Sequence, residues 1–171
     1  MATAQVLTNA RITAGITASI AKLTDFQNIS QNFAKTITST LAAGTGSAQA
    51  DLLWADSRAL IADATEDLDL AGVLTDVFGD ALTFADIKAI LIYNASTTAS
   101  VVSVMGAAAN GFVGPFGAAE QKLNIPAGGY VMLAHPGAGW TVTAGTGDKI
   151  TLTEESTLAA VYEIAIIGAT A

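Results

Sequence analysis

Turn-forming residues divide most of this chain into segments that are too short for long helices. Clusters of glycine, proline, asparagine and aspartate recur along it, and each supplies the positive or fixed φ that a tight turn requires. These clusters lie at residues 79–80, 110–111, 114–115, 126–129, 135–137 and 145–148. The segments between them are rich in aliphatic and β-branched residues, as strands are. The spacing therefore predicts an all-β fold, either a sandwich or a barrel.

The second part of the chain contains the candidate strands and one candidate short helix, at residues 72–78. The strands are expected at residues 50–60, 66–70, 82–93, 100–105, 121–125, 130–134, 140–144, 149–153 and 158–167. Residues 89–92 and 164–167 are apolar on both faces, which is typical of central strands covered on both sides. A second sheet, a neighbouring subunit or the N-terminal segment is the expected cover.

The first fifty residues differ from the rest in charge and pattern. They hold three basic residues and one acid, net +2, whereas residues 51–171 hold fourteen acids and four basic residues, net −10, which together give −8. Ile12, Ile16 and Ile20 alternate with threonine and serine, a pattern that favours a strand over the helix that the same spacing also permits. We therefore expect an N-terminal arm at residues 1–50 and a body at residues 51–171.

Composition excludes several classes of function. Only 13% of the residues are charged, against about 25% in typical domains, and the isoelectric point is near 4.3. Nucleic acid and anionic membrane surfaces are not expected as partners, because both need clustered lysine and arginine. The most apolar windows are shorter than the roughly 20 residues of a membrane span. The chain has no cysteine, so thiol catalysis and disulfides are excluded.

Candidate chemical sites are few, and we expect no cofactor, metal or catalytic residue. His135, the single histidine, lies in a Pro-Gly turn, without the motifs of a serine hydrolase or a zinc site. The acidic run at residues 63–69 fits an amphipathic strand, although calcium binding stays an alternative. Residues 145–149 resemble a phosphate loop only superficially and predict a hairpin turn.

A low-charge chain rich in alanine, glycine, threonine and serine is typical of proteins that pack into symmetric assemblies. Small side chains lose little conformational entropy when a neighbouring molecule covers them. Apolar residues of the arm and of one glycine-rich loop are the expected contact points. These candidate assembly residues are Ile12, Ile16, Ile20, Phe33, Phe112 and Phe116.

Several short motifs resemble a family of small proteins of tailed bacteriophages. They are Gly44-Thr-Gly-Ser-Ala-Gln-Ala-Asp51, Trp54-Ala-Asp-Ser-Arg58, Glu66-Asp-Leu-Asp-Leu-Ala-Gly72, residues 74–79 with Leu82-Thr-Phe84, and Tyr162-Glu-Ile-Ala-Ile-Ile-Gly168. The similarity covers most of residues 44–171 and leaves the arm outside it. It implies a virion structural protein, similar to capsid decoration or cement proteins, with a jelly-roll-like sandwich and often a trimeric assembly. No functional residue can be transferred from it.

The resemblance therefore implies a non-enzymatic protein that decorates and cements the outer capsid surface after assembly in the host cytoplasm. Its partners would be the major capsid protein and further copies of itself, with the arm docking on an acidic surface or a sheet edge. A tail-fibre or adhesin head that binds a host glycan through residues 111–117 is the alternative. A glycan-cleaving enzyme using Glu154, Glu155 or Glu163 is the third hypothesis.

Overall fold

A computed structural model describes residues 6–171, in which strands are the only regular secondary structure. None of these residues forms a helix long and apolar enough to cross a membrane. The strands are β1 (Asn9–Leu23), β2 (Asn28–Ala43), β3 (Gln49–Ala50), β4 (Leu52–Leu60), β5 (Thr65–Asp69), β6 (Leu74–Thr75), β7 (Ala81–Leu82), β8 (Asp86–Asn94), β9 (Val101–Gly106), β10 (Leu123–Pro126), β11 (Tyr130–Ala134), β12 (Trp140–Thr141), β13 (Lys149–Glu154) and β14 (Ala160–Ala169). The predicted all-β fold is confirmed.

Two antiparallel sheets form the body of the chain. One has the strand order β10-β9-β13-β5, and the other has the order β11-β8-β14-β4, with β12 also paired to β8. Both sheets contribute alternate side chains to a single apolar core, such as Val104 and Leu152 from the first and Ile90 and Ile164 from the second. Such interdigitation between inner faces is how two stacked sheets are stabilised, so the fold is consistent with the predicted sandwich.

The strands of the body lie close to their predicted positions. β11 has the predicted bounds, and most other strands differ from theirs by at most three residues at either end. The segment at residues 82–93 is the main exception, because it divides into β7 and β8. The apolar segments 89–92 and 164–167 lie in β8 and β14, which are interior strands of their sheet as expected.

The prediction of a helix at residues 72–78 is wrong. This segment contains β6 and a turn that leads into β7. The carboxylate of Asp76 accepts hydrogen bonds from the backbone N–H groups of Phe78 (2.8 Å) and Asp80 (3.0 Å). Gly79 has a φ of +88°, in the left-handed region that favours glycine. The Asp76 side chain therefore accepts from backbone N–H groups that would otherwise form helical hydrogen bonds, and this favours the turn.

A long antiparallel hairpin of β1 and β2 precedes the sandwich. The two strands pair from Asn9↔Ala42 to Leu23↔Asn28, so the strand alternative for this segment is the correct one. The Thr24 hydroxyl closes the turn by donating to the Gln27 carbonyl at 2.6 Å and accepting from its N–H at 3.1 Å. β2 then pairs in parallel with β3, and the predicted division at residue 50 coincides with the end of β3.

A charged cluster links the two sheets at one edge of the sandwich. Arg58 of β4 forms ion pairs with Asp56 and with Glu66 of β5, which belongs to the opposite sheet. The hydroxyl of Tyr162 donates a hydrogen bond of 2.8 Å to the other oxygen of Glu66. Burial, followed by this hydrogen bond, raises the pKa of Tyr162 well above its usual value. The phenol therefore stays protonated and holds the carboxylate in place.

Candidate interaction surface

The hairpin has one apolar face and one polar face. Residues directly opposite each other in an antiparallel pair lie on the same side of the ribbon. The register therefore places the even-numbered residues of β1 on one side with the odd-numbered residues of β2. We call this side the apolar face, and its aliphatic and aromatic members where the two strands pair are Ala10, Ile12, Ala14, Ile16, Ala18, Ile20, Ile29, Phe33, Ile37 and Leu41. The opposite side carries most of the threonines.

Most of the apolar face has no partner within the described chain. Within β1 and β2, every residue in ranges 13–23 and 28–38 is exposed, including Ile16 (68%), Ile20 (68%) and Phe33 (56%). A two-stranded hairpin is marginally stable in water unless its hydrophobic side is covered. A contiguous exposed apolar surface of this kind marks a site of contact with another molecule.

The base of the same face is covered by the sandwich. Ile12 and Leu41 are buried in a small cluster with Ala89, and Ile167 and Met132 pack against it. These three body residues lie on β8, β14 and β11, on the side of their sheet that faces away from the sandwich core. We call this side the outer face. The N-terminal segment therefore covers part of the central strands, as the sequence analysis expected.

The outer face continues beyond the hairpin base as a largely uncovered surface. The strand register brings Leu91, Ala165 and Ala55 into one row across β8, β14 and β4. The next row contains Tyr93 and Glu163. Leu91 is 41% exposed and Tyr93 is 37% exposed. Both lie on β8, an interior strand, where side chains are normally covered. A shallow depression lies between these residues, because the two alanines are smaller than their neighbours.

Charge differs between the two uncovered surfaces. Lys35 lies opposite Ile16 on the apolar face, and Lys22 lies on the same side near the turn. Glu163 is the charged residue in the rows of the outer face. None of these three takes part in the ion pairs formed within residues 6–171, which join Arg58 to two acids and Lys122 to Glu155. Both surfaces thus combine apolar area with unpaired charge of opposite sign.

Four of the six predicted assembly residues lie on the hairpin, where three are exposed and Ile12 is buried at the base, and the other two lie in the core of the sandwich. Ile12, Ile16, Ile20 and Phe33 share the apolar face. Phe112 and Phe116 are only 1% and 8% exposed and belong to the sandwich core. Their inclusion among contact residues is therefore corrected, because a glycine-rich loop folds inward around its aromatic rings. Sequence alone did not separate a loop that exposes aromatics from one that buries them.

His135 is a turn residue in the structure, as expected from its sequence neighbours. The ring nitrogen Nδ1 of His135 accepts a 2.6 Å hydrogen bond from the backbone N–H of Gly139. The backbone N–H of His135 donates to the carbonyl of Lys88 at 2.9 Å. Lys88 was missed by the sequence analysis. Its side chain is 1% exposed and donates to the carbonyls of Gly137 (3.2 Å) and Ala138, which anchors this loop.

The acidic run at residues 63–69 begins in a turn at Asp63 and continues into β5, and its acids have separate roles. Glu66 belongs to the charged cluster described above, and Asp67 accepts a 2.6 Å hydrogen bond from the hydroxyl of Thr151. Asp69 accepts from the N–H of Ala71 at 2.9 Å. Within residues 6–171 no group of three or more acidic or histidine residues converges in a way that could hold a metal ion.

The glutamates of the enzyme hypothesis lie in unrelated settings. Glu154 accepts hydrogen bonds from Ser156 and from the N–H of Asp63. Burial acts to raise the pKa of Glu154, but these hydrogen bonds outweigh it and lower that pKa. Glu155 forms an ion pair with Lys122 at 2.8 Å, and this contact lowers the pKa of Glu155. Glu163 lies on the outer face of the other sheet.

Comparison with known proteins adds no identification. No protein-family model matches the chain, and no curated protein matches it in sequence. The two uncovered surfaces are therefore the features on which a functional proposal can rest.

Proposed function

We propose that this chain is a non-enzymatic structural protein of a bacteriophage particle, which decorates and cements the outer surface of the capsid as an oligomer, with three copies as the expected number. The observation that carries the proposal is the uncovered apolar face of the hairpin. The hairpin extends beyond its contact with the body, so the side chains of Ile16, Ile20 and Phe33 are exposed to solvent. Such a surface is stabilised when it docks on another protein.

Three further observations support this proposal. The short motifs between residues 44 and 168 resemble those of small proteins of tailed phages. The low charge content and the small side chains suit a molecule that is covered by neighbours on several sides. The candidate catalytic carboxylates are occupied by local hydrogen bonds or lie on different sheets.

Cementing follows from the number of contacts rather than from the strength of each one. A protein that spans the joints between capsid subunits adds binding free energy that opposes the pressure of packaged DNA. An oligomer engages several subunits at once, so contacts that are weak individually become strong together. The major capsid protein and other copies of this chain are the partners that this mechanism requires.

Quantitative mass spectrometry of purified particles tests the location. We expect a copy number comparable to that of the major capsid protein. A handful of copies per particle would contradict shell decoration and favour the tail-fibre or adhesin alternative. Absence from particles would exclude the virion role.

Cosedimentation with capsids that lack this protein tests the role of the hairpin. Ile12 and Ser39 are directly opposite, so an Asn-Gly turn can replace residues 13–38 and close a shorter hairpin with its buried base intact. We expect this variant to fold and to lose capsid binding. A milder test is Ile16→Thr with Ile37→Thr, since both replacements stay β-branched. Binding that equals that of the intact chain would refute the proposal.

The polar face provides a matched control for the milder test. Thr17 and Thr36 occupy diagonal positions of the same kind as Ile16 and Ile37, but on the opposite side of the ribbon. Thr17→Val with Thr36→Val changes the same number of β-branched residues and leaves the apolar face intact. We expect this variant to bind capsids as the intact chain does.

A further inference from the structure

We propose that the exposed part of the apolar face of one copy docks on the uncovered part of the outer face of a second copy, with Lys35 and Lys22 directed toward Glu163. This inference deepens the proposed function, because it specifies how the copies of the proposed oligomer contact one another. The hairpin thereby becomes an arm that is exchanged between copies, and both uncovered surfaces are buried by one contact.

Both surfaces extend from a contact that already exists within the chain. At the hairpin base, Ile12 and Leu41 of the apolar face pack on Ala89 and Ile167 of the outer face. The apolar face continues from this contact to Ile16 and Ile20, away from the body, and the outer face continues to Leu91 and Tyr93. The apolar face and the outer face therefore already pack together at the hairpin base. Beyond the base, each face is exposed.

The shapes and side-chain sizes of the two surfaces are complementary. The exposed part of the apolar face carries large side chains, and the outer face has a shallow depression at Ala55 and Ala165. Aliphatic side chains from the hairpin can fill such a depression and contact Leu91 and Tyr93 at its rim. Eleven residues of a strand span about 36 Å, whereas four strands are about 19 Å wide, so the hairpin is long enough to cross the sheet.

Charge favours this pairing over a contact between two hairpins. Two apolar faces packed together would bring Lys22 and Lys35 of both copies into one interface, with no carboxylate on either face. Like charges that are brought together and desolvated oppose association. The outer face offers Glu163, and the body that carries it has a net charge of −10, against +2 for residues 1–50. Attraction between the basic arm and the acidic body therefore selects the exchanged contact.

The area of the contact requires that the assembly closes. The uncovered part of the outer face measures about 16 by 19 Å, so a single docked hairpin buries about 600 Å² counting both partners. Stable interfaces bury about 1,200 Å² or more. In a closed ring each copy donates one hairpin and receives another, so three copies share three such contacts, about 1,800 Å² in total. Such head-to-tail contacts form rings when the rotation between copies closes, as in the proposed trimer.

Cross-linking distinguishes the two possible geometries. The chain has no cysteine, so Ile20→Cys and Tyr93→Cys each introduce a single thiol. With a bismaleimide cross-linker we expect dimers from an equimolar mixture of the two variants and few from either variant alone. Dimers from Ile20→Cys alone would show that hairpins pack on hairpins, which would overturn the inference. Thr17→Cys, on the polar face, is the control that should not cross-link to Tyr93→Cys.

Charge reversal tests the same contact by a second route. Lys35→Glu and Glu163→Lys should each raise the dissociation constant of the oligomer about tenfold, and the double variant should restore it. Light scattering over a range of concentrations measures this constant for the full chain. If Glu163→Lys has no effect, or if the intact chain is monomeric throughout, the outer face is not the docking surface.

Capsid cosedimentation of the same samples separates this inference from the proposed function. Oligomers that cross-link as expected but do not bind capsids would support the exchanged hairpin and contradict the virion role. A monomer that binds capsids would support the virion role and identify the capsid, in place of a second copy, as the occupant of the apolar face.

Discussion

Replacing Leu41 with alanine should release the hairpin from the body without unfolding the sandwich. Leu41 is fully buried, and together with Ile12 it supplies the large buried side chains that the hairpin contributes to the cluster at its base. Burying a leucine contributes about 1.5–3 kcal/mol, and a leucine-to-alanine change in a core costs about 2–5 kcal/mol once the cavity is included. The cluster is small and can relax, so we expect about 2–3 kcal/mol, which is a large part of the docking free energy.

Hydrogen exchange can measure this loss where it occurs. The N–H of Ala42 donates to the carbonyl of Ala48, and the N–H of Gly44 donates to that of Ala50, next to the hairpin base. A loss of 2–3 kcal/mol predicts protection factors at these amides that fall about 30- to 150-fold. Amides of the sandwich core should keep their protection, because their cluster does not include Leu41.

Ile37→Ala is the matched control for this experiment. Ile37 lies on the same strand and face as Leu41, but it is 61% exposed. Its replacement should change the protection of the base by less than about 0.5 kcal/mol, as is usual at exposed sites. If Leu41→Ala has an effect as small as that of Ile37→Ala, the cluster does not hold the hairpin and the reasoning is refuted.

Three other predictions concern the sandwich. Gly168→Ala should unfold the sandwich, or lower its free energy of unfolding in urea denaturation by more than about 4 kcal/mol. The reason is that the new Cβ would lie 2.3 Å from a main-chain carbonyl oxygen of β8. A fully stable variant would contradict this packing. Tyr162→Phe should cost about 1.5–3 kcal/mol in the same assay, because its hydroxyl donates to the Glu66 carboxylate, and a neutral result would show that this hydrogen bond is not stabilising. The hydrogen bond from Lys122 lowers the folded-state pKa of Glu155 below the ordinary value of a glutamate. The stabilisation is therefore fully present above that ordinary value and is lost as the pH falls through the lowered pKa. Lys122→Gln should therefore reduce the slope of stability against pH in the acid range, and an unchanged slope would refute this.

Local chemistry predicted the all-β fold and most of its strands. Glycine, proline and aspartate restrict the backbone within a few residues of their own position, so turn clusters are visible in a single sequence. Alternation at Ile12, Ile16 and Ile20 likewise favoured a strand with one apolar side over a helix. The helix prediction for residues 72–78 was wrong because the apolar residues there suit a helix, whereas the Asp76 carboxylate accepts a backbone hydrogen bond that stabilises a turn.

The candidate site was predictable only in part. The sequence indicated the apolar residues of the hairpin, but placed Phe112 and Phe116 beside them on the basis of residue type. Whether a loop buries its aromatic rings depends on the space between two sheets, which is set by residues distant in the chain. The buried position of Lys88 was not predictable for the same reason, because its acceptors belong to a loop about fifty residues away.

The sequence by itself determined the net charge, most of the strands and the two-sided character of β1 and β2. Strands and their faces depend on residues that are adjacent or alternate along the chain, and the net charge depends on composition alone. Only the tertiary structure decided which apolar residues are covered. Ile12 and Ile16 have the same side chain and lie on the same strand and face, yet one is 7% exposed and the other 68%. The hairpin meets the sandwich only at its base, so the point where that contact ends divides the core of one molecule from the surface available to the next.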